Sequence, residues 1–394
     1  MILSEKDYAH WLFSVQGVGN ASIDKLLCGG RSCREVFEMN EKELAKILDQ
    51  RHAGAIMRAK RTWDFEKKNK KLEAMGIRFV SRIDPEYPDK LRNIADPPFA
   101  IYVKGQLPDP SKPSVAIIGA RMCSDYGRFM ARKFGRELGL AGVQVISGMA
   151  RGVDGIAQKG ALDAGGRSFG VLGCGVDICY PEENKAIYDD LITSGGIISE
   201  YLPGTEPKPG HFPLRNRIIS ALSDIVLVVE ARRRSGTSIT VDTALEQGKE
   251  ILAVPGRVTD RLSDGCNYLI NQGAGIATGV QDILDRLSRM GMYCTGSDDS
   301  ETEKTAETEG NELSEIMEES DDEMSETSVT VHRSLEDEIA QMLDVIPISA
   351  SQIMEELGKK GYEISVPQLM STLMEMTFKG IAIQNGSYYR KTAV

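Results

Sequence analysis

The feature that most constrains the fold is a series of short apolar runs in the middle of the chain, each followed by a helical pattern. The runs are VAIIG (115–119), VQVIS (143–147), SFGVLG (168–173), GIISE (196–200), IVLVVE (225–230) and ILAVP (251–255). Such runs suit strands that are buried on both faces. Short strands alternating with helices predict a doubly wound α/β domain, with a mostly parallel sheet and right-handed crossovers, over roughly residues 114–284.

Glycines and hydrogen-bond donors recur where these strands end. Ligands of an open α/β sheet bind outside the carboxyl ends of the strands. Glycine permits close backbone approach, arginine can grip a phosphate with two N–H groups, and a helix N-terminus favours an anion. Each turn alone is typical of ordinary structure, but together they predict an extended anion-binding pocket. Its predicted residues are Gly119, Arg121, Ser147, Gly148, Arg151, Phe212, Arg215, Asn216, Arg217, Ser235, Gly236 and Thr237.

Phe212 allows two interpretations. An aromatic ring beside arginines is the combination that binds single strands, since the ring stacks on a base while the cations contact phosphates. The alternative is a loop aromatic that covers the end of the sheet. The sequence leaves both interpretations open.

Catalytic and metal-binding patterns are absent from the sequence. It has four histidines, of which His211 alone lies near the predicted rim, and no nucleophile elbow, H-E-x-x-H or Walker motif is found. Its seven cysteines include no C-x-x-C pair, which argues against a zinc ribbon or a disulfide framework. Three carboxylates near strand ends could be general bases, but helix capping and arginine pairing are the favoured roles: Asp154, Glu200 and Glu230. We therefore expect no catalytic residues, no metal and no cofactor.

The net charge of −11 arises mainly from one segment. Residues 298–326 contain fourteen acidic residues and one lysine, and the remainder carries 46 basic and 44 acidic residues. The overall acidity therefore does not exclude nucleic acid as a partner. No apolar run approaches the roughly 20 residues that span a bilayer, and no signal peptide is recognised, so we expect a cytoplasmic protein without membrane contact.

The segments on either side of the α/β domain differ from it. Residues 1–80 have helical spacing, and VQGVG at 15–19 is either a helix-hairpin-helix turn of a SAM-like domain or an ordinary turn between helices. Residues 81–290 form the core domain, entered through the strand FAIYVKG. Residues 291–331 are predicted to be an acidic disordered linker. Residues 332–394 read as three helices and a hairpin around Asn385-Gly386, an order that looks like a winged helix.

Several longer motifs, in order, resemble one family. They are DPEYPDKLRNIADPPFAIYVKG, VAIIGARMCSDYG, SGMARGVDGIAQKGAL, GVLGCGVDICYPEEN, FPLRNRIISALS, VVEARRRSGTSITVDTALEQGKEILAVPG and GCNYLINQGA. Over about residues 82–284 the chain resembles the DNA-processing protein A family, also called DprA or Smf. The resemblance implies a Rossmann-like core and a DNA pocket on the residues given above, apart from Arg151 and Thr237.

The same resemblance implies a function. Family members bind and protect single-stranded DNA, load the RecA recombinase during natural transformation, and commonly form homodimers; they are not established enzymes. Two positions depart from the family pattern. Gln158 stands where histidine is frequent, which weakens a titrating role, and Thr237 replaces a second serine while keeping the hydroxyl.

Two further hypotheses remain at this point. A nucleotide-binding or nucleotide-hydrolysing protein could share the core, although the P-G-G-x-G-T signature of the phosphoribohydrolases is missing. The C-terminal segment could bind duplex DNA or contact a protein. Its SVPQLMSTLMEMTFKG helix has one lysine and no arginine, which favours a protein contact.

Overall fold

The computed structural model describes residues 3–293, 335–343, 348–360, 362, 364–385 and 388–392. The chain divides into two compact units, Met1–Tyr293 and Cys294–Val394. The predicted acidic linker falls almost wholly outside the described residues, as does Gly386 of the predicted hairpin. The predicted domain boundary near residue 80 and the disorder of the linker stay predictions.

The first unit begins with six helices: α1 Glu5–Phe13, α2 Asn20–Leu27, α3 Cys33–Glu38, α4 Glu41–Leu44, α5 Gln50–Thr62 and α6 Phe65–Ala74. Ser4, Ser32 and Asn40 start α1, α3 and α4 with capping boxes, which satisfy backbone N–H groups that have no partner within the helix. Gly17, with φ +86°, lies in the turn between α1 and α2. Phosphate binding by that turn stays a prediction.

The helical interpretation of residues up to Val80 is wrong at its end. Residues Ile77–Ser81 form strand β1, which pairs antiparallel with β2, Ala100–Gly105, across a short helix α7, Asp89–Arg92. Ile77 and Phe79 pack against the N-terminal helices, whereas Val80 belongs to the core on the other side. This alternation is that of a strand, and five residues are too few for either period to be clear in the sequence.

The predicted parallel sheet is confirmed. Its strands are β3 Ser114–Ile118, β4 Gln144–Ser147, β5 Ser168–Val171, β6 Gly195–Ser199, β7 Ile225–Val228, β8 Glu250–Ala253 and β9 Gly275–Ile276. The nine-stranded order is β1-β2-β6-β5-β4-β3-β7-β8-β9. In this order, every pair of neighbouring strands from β6 through β3 to β9 is parallel. β1 and β2 pair antiparallel with each other, and β2 pairs antiparallel with β6, so they form an antiparallel edge.

Helices cover both faces of this sheet. They are α8 Asp125–Leu140, α9 Val153–Asp163, the 3-10 turn Glu182–Asn184, α10 Lys185–Ser194, α11 His211–Leu222, α12 Gly236–Glu246, α13 Asp264–Asn271 and α14 Val280–Arg289. Val115 and Ile117 of β3 face the core shared with α8, α9 and α14, while Ala116 and Ile118 face the core shared with α11, α12 and α13. The strand between them is therefore buried on both sides, as its all-apolar sequence predicts.

The strand order reverses beside β3. β4, β5 and β6 extend to one side of β3, and the chain then returns so that β7 pairs with the other side. The connections after β3 and β7 leave in opposite directions, because α8 and α12 cover opposite faces. Such a switch point opens a crevice at the carboxyl ends of the two strands.

The second unit contains α15 Leu335–Met342, β10 Ile348–Ser349, α16 Ala350–Lys359, α17 Val366–Phe378, β11 Ala382–Asn385 and β12 Tyr388–Lys391. The strands form an antiparallel sheet in the order β10-β12-β11, over a core that includes Ile339, Ile353 and Leu373. The predicted three helices and strand pair are present, and the winged-helix assignment stays a prediction. Among the helices described in either unit, none is long and apolar enough to cross a membrane.

Candidate nucleic-acid interface

A cleft of about 630 Å³ lies at the switch point, outside the carboxyl ends of β3 and β7. Its walls come from the β3–α8 turn, the first turns of α11, the β7–α12 turn and one tyrosine of the β5–α10 connection. Eight of the predicted residues line it: Gly119, Arg121, Phe212, Arg215, Asn216, Ser235, Gly236 and Thr237. The structure thus brings together residues that are up to 118 positions apart in the chain.

The β3–α8 turn positions Arg121. Ala120 donates its backbone N–H to the Glu230 carbonyl at 2.7 Å and accepts one from Val153 at 3.2 Å. Gly152 has φ +74°, and a Cβ there would meet the carbonyl oxygens of Ala120 and Arg121. Glycine is therefore needed at 152 for both its conformation and this close contact. Held in this way, the exposed Arg121 forms no ion pair with any carboxylate of the described residues.

An aromatic wall faces this arginine. Phe212 lies in the first turn of α11, which starts at His211, so the interpretation of it as a loop residue is wrong. The centroids of the Phe212 and Tyr180 rings are 5.5 Å apart, and the Arg121 guanidinium is 5.6 Å from the Phe212 centroid. Both rings remain partly exposed, so a planar ligand could stack against them.

Arg215 is buried beneath this wall rather than free in the cleft. Its Nη1 donates to the Gly148 carbonyl at 2.9 Å and to the Val171 carbonyl, so it links the ends of β4 and β5. Burial lowers the pKa of Arg215 to about 10, and the nearby Asp154 carboxylate opposes that shift. Burial likewise raises the pKa of Asp154, against the attraction of Arg215. The pair gives the floor of the cleft a compensated buried charge.

The N-terminus of α12 closes the other side. Ser235 is its N-cap, yet the hydroxyl makes no capping hydrogen bond, and this buried oxygen has no partner within the described residues. Gly236 and Thr237 follow in the first turn, where backbone N–H groups lack partners in the helix. A Cβ at Gly236 would meet nothing within 4 Å. This end of the cleft therefore offers hydroxyl and backbone donors of the kind that bind a phosphate oxygen.

Four predicted residues are placed outside the cleft lining. The Ser147 hydroxyl is buried and donates to the Ile117 carbonyl at 2.6 Å, and the Gly148 N–H donates to Asp154 at 3.1 Å. Arg151 pairs with Glu183 on the outer surface. Arg217 donates twice to Glu200 at 2.8 Å and also pairs with Asp96. Direct DNA contact by these four residues stays a prediction.

The three strand-end carboxylates make capping, arginine or backbone contacts, and the absence of a catalytic role stays a prediction. The buried Glu230 accepts from the Ser124 N–H at 2.9 Å at the start of α8, Glu200 pairs with Arg217, and Asp154 accepts from Gly148. Burial also raises the pKa of Glu230.

Gln158, at the position where histidine is frequent, is buried, and its amide donates to the Phe169 carbonyl at 3.0 Å. It lies in the α9–β5 contact, away from the cleft lining.

Two side chains of the cleft that could stack on a base or contact a phosphate, Tyr180 and Arg232, are not among the predicted residues. Tyr180 lines the cleft beside Phe212, and Arg232 lines it as the first member of the triplet Arg232-Arg233-Arg234, which directly precedes the predicted Ser235. The run of three arginines directly before Ser235 was the sequence signal that could have identified Arg232. Nothing local to Tyr180 connects it to Phe212, because the two belong to separate connections of the sheet.

Comparison with known proteins identifies relatives. Residues 78–288 match the family model described as DNA recombination-mediator protein A. The DNA processing protein DprA of Streptococcus pneumoniae is 36% identical over 280 residues, which cover 71% of this chain and 97% of that protein. Protein Smf of Escherichia coli is 42% identical over 202 residues, covering 51% of this chain and 54% of that protein. An X-ray structure of the pneumococcal DprA superposes with a TM-score of 0.63 at 35% identity, over 72% of this chain and 98% of that one.

Proposed function

The chain belongs to the DNA recombination-mediator protein A family, and from this membership we propose that it binds single-stranded DNA in the switch-point cleft. One observation carries the proposal. Arg121, which forms no ion pair within the described part of the chain, lies beside the partly exposed Phe212 ring, so one nucleotide could place its phosphate on the cation and its base on the ring. The donors of Ser235 and Gly236 across the cleft would hold a neighbouring phosphate.

A titration of fluorescent oligothymidylate, followed by anisotropy at several salt concentrations, tests this proposal. Arg121→Ala should lower affinity about five- to thirtyfold, since a charge-assisted contact of about 1–2 kcal/mol is lost. It should also reduce the slope of log affinity against log salt by about 0.7, the value for one phosphate contact of a single strand. Arg232→Ala should act in the same direction.

Arg167→Ala is the matched control. Arg167 is an exposed arginine that precedes β5, at the amino end of the parallel strands and so at the edge opposite the cleft. Its removal lowers the net charge equally and should leave affinity nearly unchanged. If Arg121→Ala and Arg232→Ala together bind the strand as tightly as Arg167→Ala does, the cleft is not the binding site.

We further propose that the protein is not an enzyme. The carboxylates nearest the cleft accept hydrogen bonds from protein donors, which supports structural roles over proton transfer from a nucleotide. The competing hypothesis is a nucleotide hydrolase. Incubation of the purified protein with nucleoside monophosphates, analysed for released base, distinguishes the two, and release that disappears in Asp154→Asn would favour the hydrolase.

The remaining functional expectations are proposals that follow from the family. We propose that the protein protects single strands and loads RecA on them, works as a cytoplasmic homodimer, and carries a winged-helix tail that contacts protein rather than duplex DNA. The tail proposal is supported by α17, whose Met374 and Phe378 are exposed. RecA filament formation on protein-coated strands tests loading, and light scattering tests the dimer.

A further inference from the structure

A second surface next to the cleft is lined by cations. It is a groove of about 330 Å³ between α8, α9 and the turn before α10, and we call it the α8–α9 groove. Four basic side chains line it against one carboxylate, Glu183: Arg128, Arg132, Arg151 and Lys159. The side chains of Arg132, Arg151 and Lys159 are 50%, 64% and 42% exposed, so these cations can reach a ligand in solvent.

The floor of the groove is made of small groups. Gly152 and Gly155 line it, and a Cβ at Gly155 would lie 2.9 Å from the Asn184 amide nitrogen. That amide donates to the carbonyls of Met149 and Ala150, which fixes the turn leading into α9. The basic side chains therefore surround a surface of small residues, against which a bulky, negatively charged polymer could bind.

The groove continues from the cleft. Gly152 lines the groove and touches the backbone of Arg121, which lines the cleft. Ala150 lines the cleft and its neighbour Arg151 lines the groove. On α8, Arg128 and Arg132 are four residues apart, so they lie on one face with a rise of about 6 Å between them.

The existing ion pairs do not prevent ligand binding. Arg132 and Lys159 share Asp163, Lys159 also meets Asp190, and Arg151 meets Glu183. Exposed pairs of this kind contribute little, because water screens both charges and the side chains stay mobile. A phosphate entering the groove can therefore take the place of these carboxylates.

We propose that the α8–α9 groove is a second backbone-phosphate subsite, occupied by the continuation of a single strand whose bases are held in the switch-point cleft. This proposal rests on the proposed function. It makes affinity depend on strand length, since a short strand fills the cleft alone and a longer one also reaches the groove.

The test compares the intact protein with Arg128→Ala/Arg132→Ala on oligothymidylates of about 5 and about 20 nucleotides, a range that spans one subsite and several. The short strand should bind both proteins equally. The long strand should bind the variant about tenfold more weakly, from roughly threefold for each exposed contact. The salt slope for the long strand should fall by about 1.4, for two phosphate contacts.

Two further variants serve as controls. Lys112→Ala/Arg167→Ala removes two exposed cations before β3 and β5, at the opposite edge of the sheet, and should bind the long strand normally. Arg128→Lys/Arg132→Lys keeps the charges and should restore most of the affinity. The groove proposal would be overturned if the alanine variant bound the long strand with unchanged affinity, or if it lost affinity equally for both strand lengths. If the intact protein binds neither strand, the proposed function itself fails, and the groove proposal fails with it.

Discussion

Replacing Arg215 with methionine should destabilise the first unit in a pH-dependent manner. The buried guanidinium donates to the carbonyls of Gly148 and Val171 and lies near the buried Asp154. Methionine fills similar space but leaves two carbonyls without a donor and one carboxylate without its cation. Removing one partner of a buried charge pair costs about 3–5 kcal/mol, so we expect a loss of that size in the free energy of unfolding near neutral pH.

The pH dependence follows from Asp154. Burial raises its pKa in the folded protein, and Arg215 opposes this rise. In Arg215→Met the opposition is lost, so the folded pKa rises further while the unfolded pKa does not change. Between the two values the folded state binds more protons than the unfolded state, so stability falls as pH rises. The deficit of the variant should therefore be largest at neutral pH and shrink as the solution is acidified towards the unfolded pKa.

Urea unfolding followed by tryptophan fluorescence measures this deficit, because both tryptophans, Trp11 and Trp63, belong to the first unit. Asp154→Asn completes a double-mutant cycle. In the asparagine background Arg215→Met should cost only the lost carbonyl bonds, about 1–3 kcal/mol, with no pH dependence. A loss that is the same at about pH 5.5 and 7.5, within the range where a buried carboxyl titrates, would refute the charge argument.

Four other substitutions separate structure from binding. Gly152→Ala should lower stability by about 1–3 kcal/mol and displace the β3–α8 turn, so that single-strand affinity is lost; Gly165→Ala, at the same φ of +74° in open space, should lower stability alone. Phe212→Leu should weaken binding by about 1–3 kcal/mol with an unchanged salt slope, since stacking is lost and phosphate contacts are kept; a changed slope would contradict this assignment. Gly236→Ala should leave the thermal stability equal or higher, because alanine favours a helix. It should nevertheless lower the affinity for single-stranded DNA, because the added methyl group crowds the bound phosphate. An affinity equal to that of the intact protein would mean that the DNA strand binds elsewhere. Asp163→Asn should tighten binding of long strands about twofold, because it removes the carboxylate shared by two groove cations, Arg132 and Lys159, and should not affect short ones.

Six of the seven parallel strands, β3 to β8, were predictable because each carries its own apolar run, whereas β9 is only two residues long and was not predicted. VAIIG and IVLVVE are apolar on both faces since both faces are covered, and the structure shifts their bounds by only one or two residues. β1 gave no such signal, because it lies at the antiparallel edge and exposes Arg78. Its membership of the sheet depends on pairing with β2, about twenty residues later, which no local pattern can show.

The cleft was predictable in outline and not in the state of its arginines. Fold logic places the ends of β3 and β7 together, and the glycine-rich turns mark those ends. Whether an arginine is free depends on carboxylates elsewhere in the chain. Arg217 is neutralised by Glu200 and Asp96, whereas Arg121 has no such partner among the described residues. Arginines assigned to the same pocket therefore differ in availability for reasons that their own motifs do not contain.

The rim glycines show why a glycine pattern alone cannot identify a ligand. A Cβ at Gly119 would meet the Glu230 carbonyl and Val153, and one at Gly173 would meet the Phe212 ring. Glycine is needed at these two positions because other protein atoms occupy the space that a side chain would fill. This requirement would hold whatever the cleft binds. Gly236 differs, since it lines the cleft with nothing near its missing side chain. Protein packing does not require glycine there, and the open space beside the α12 N-terminus is where the proposed phosphate contact would lie. The rim is thus defined chemically by Arg121, the Phe212 ring and Gly236, while its other glycines hold these three in place.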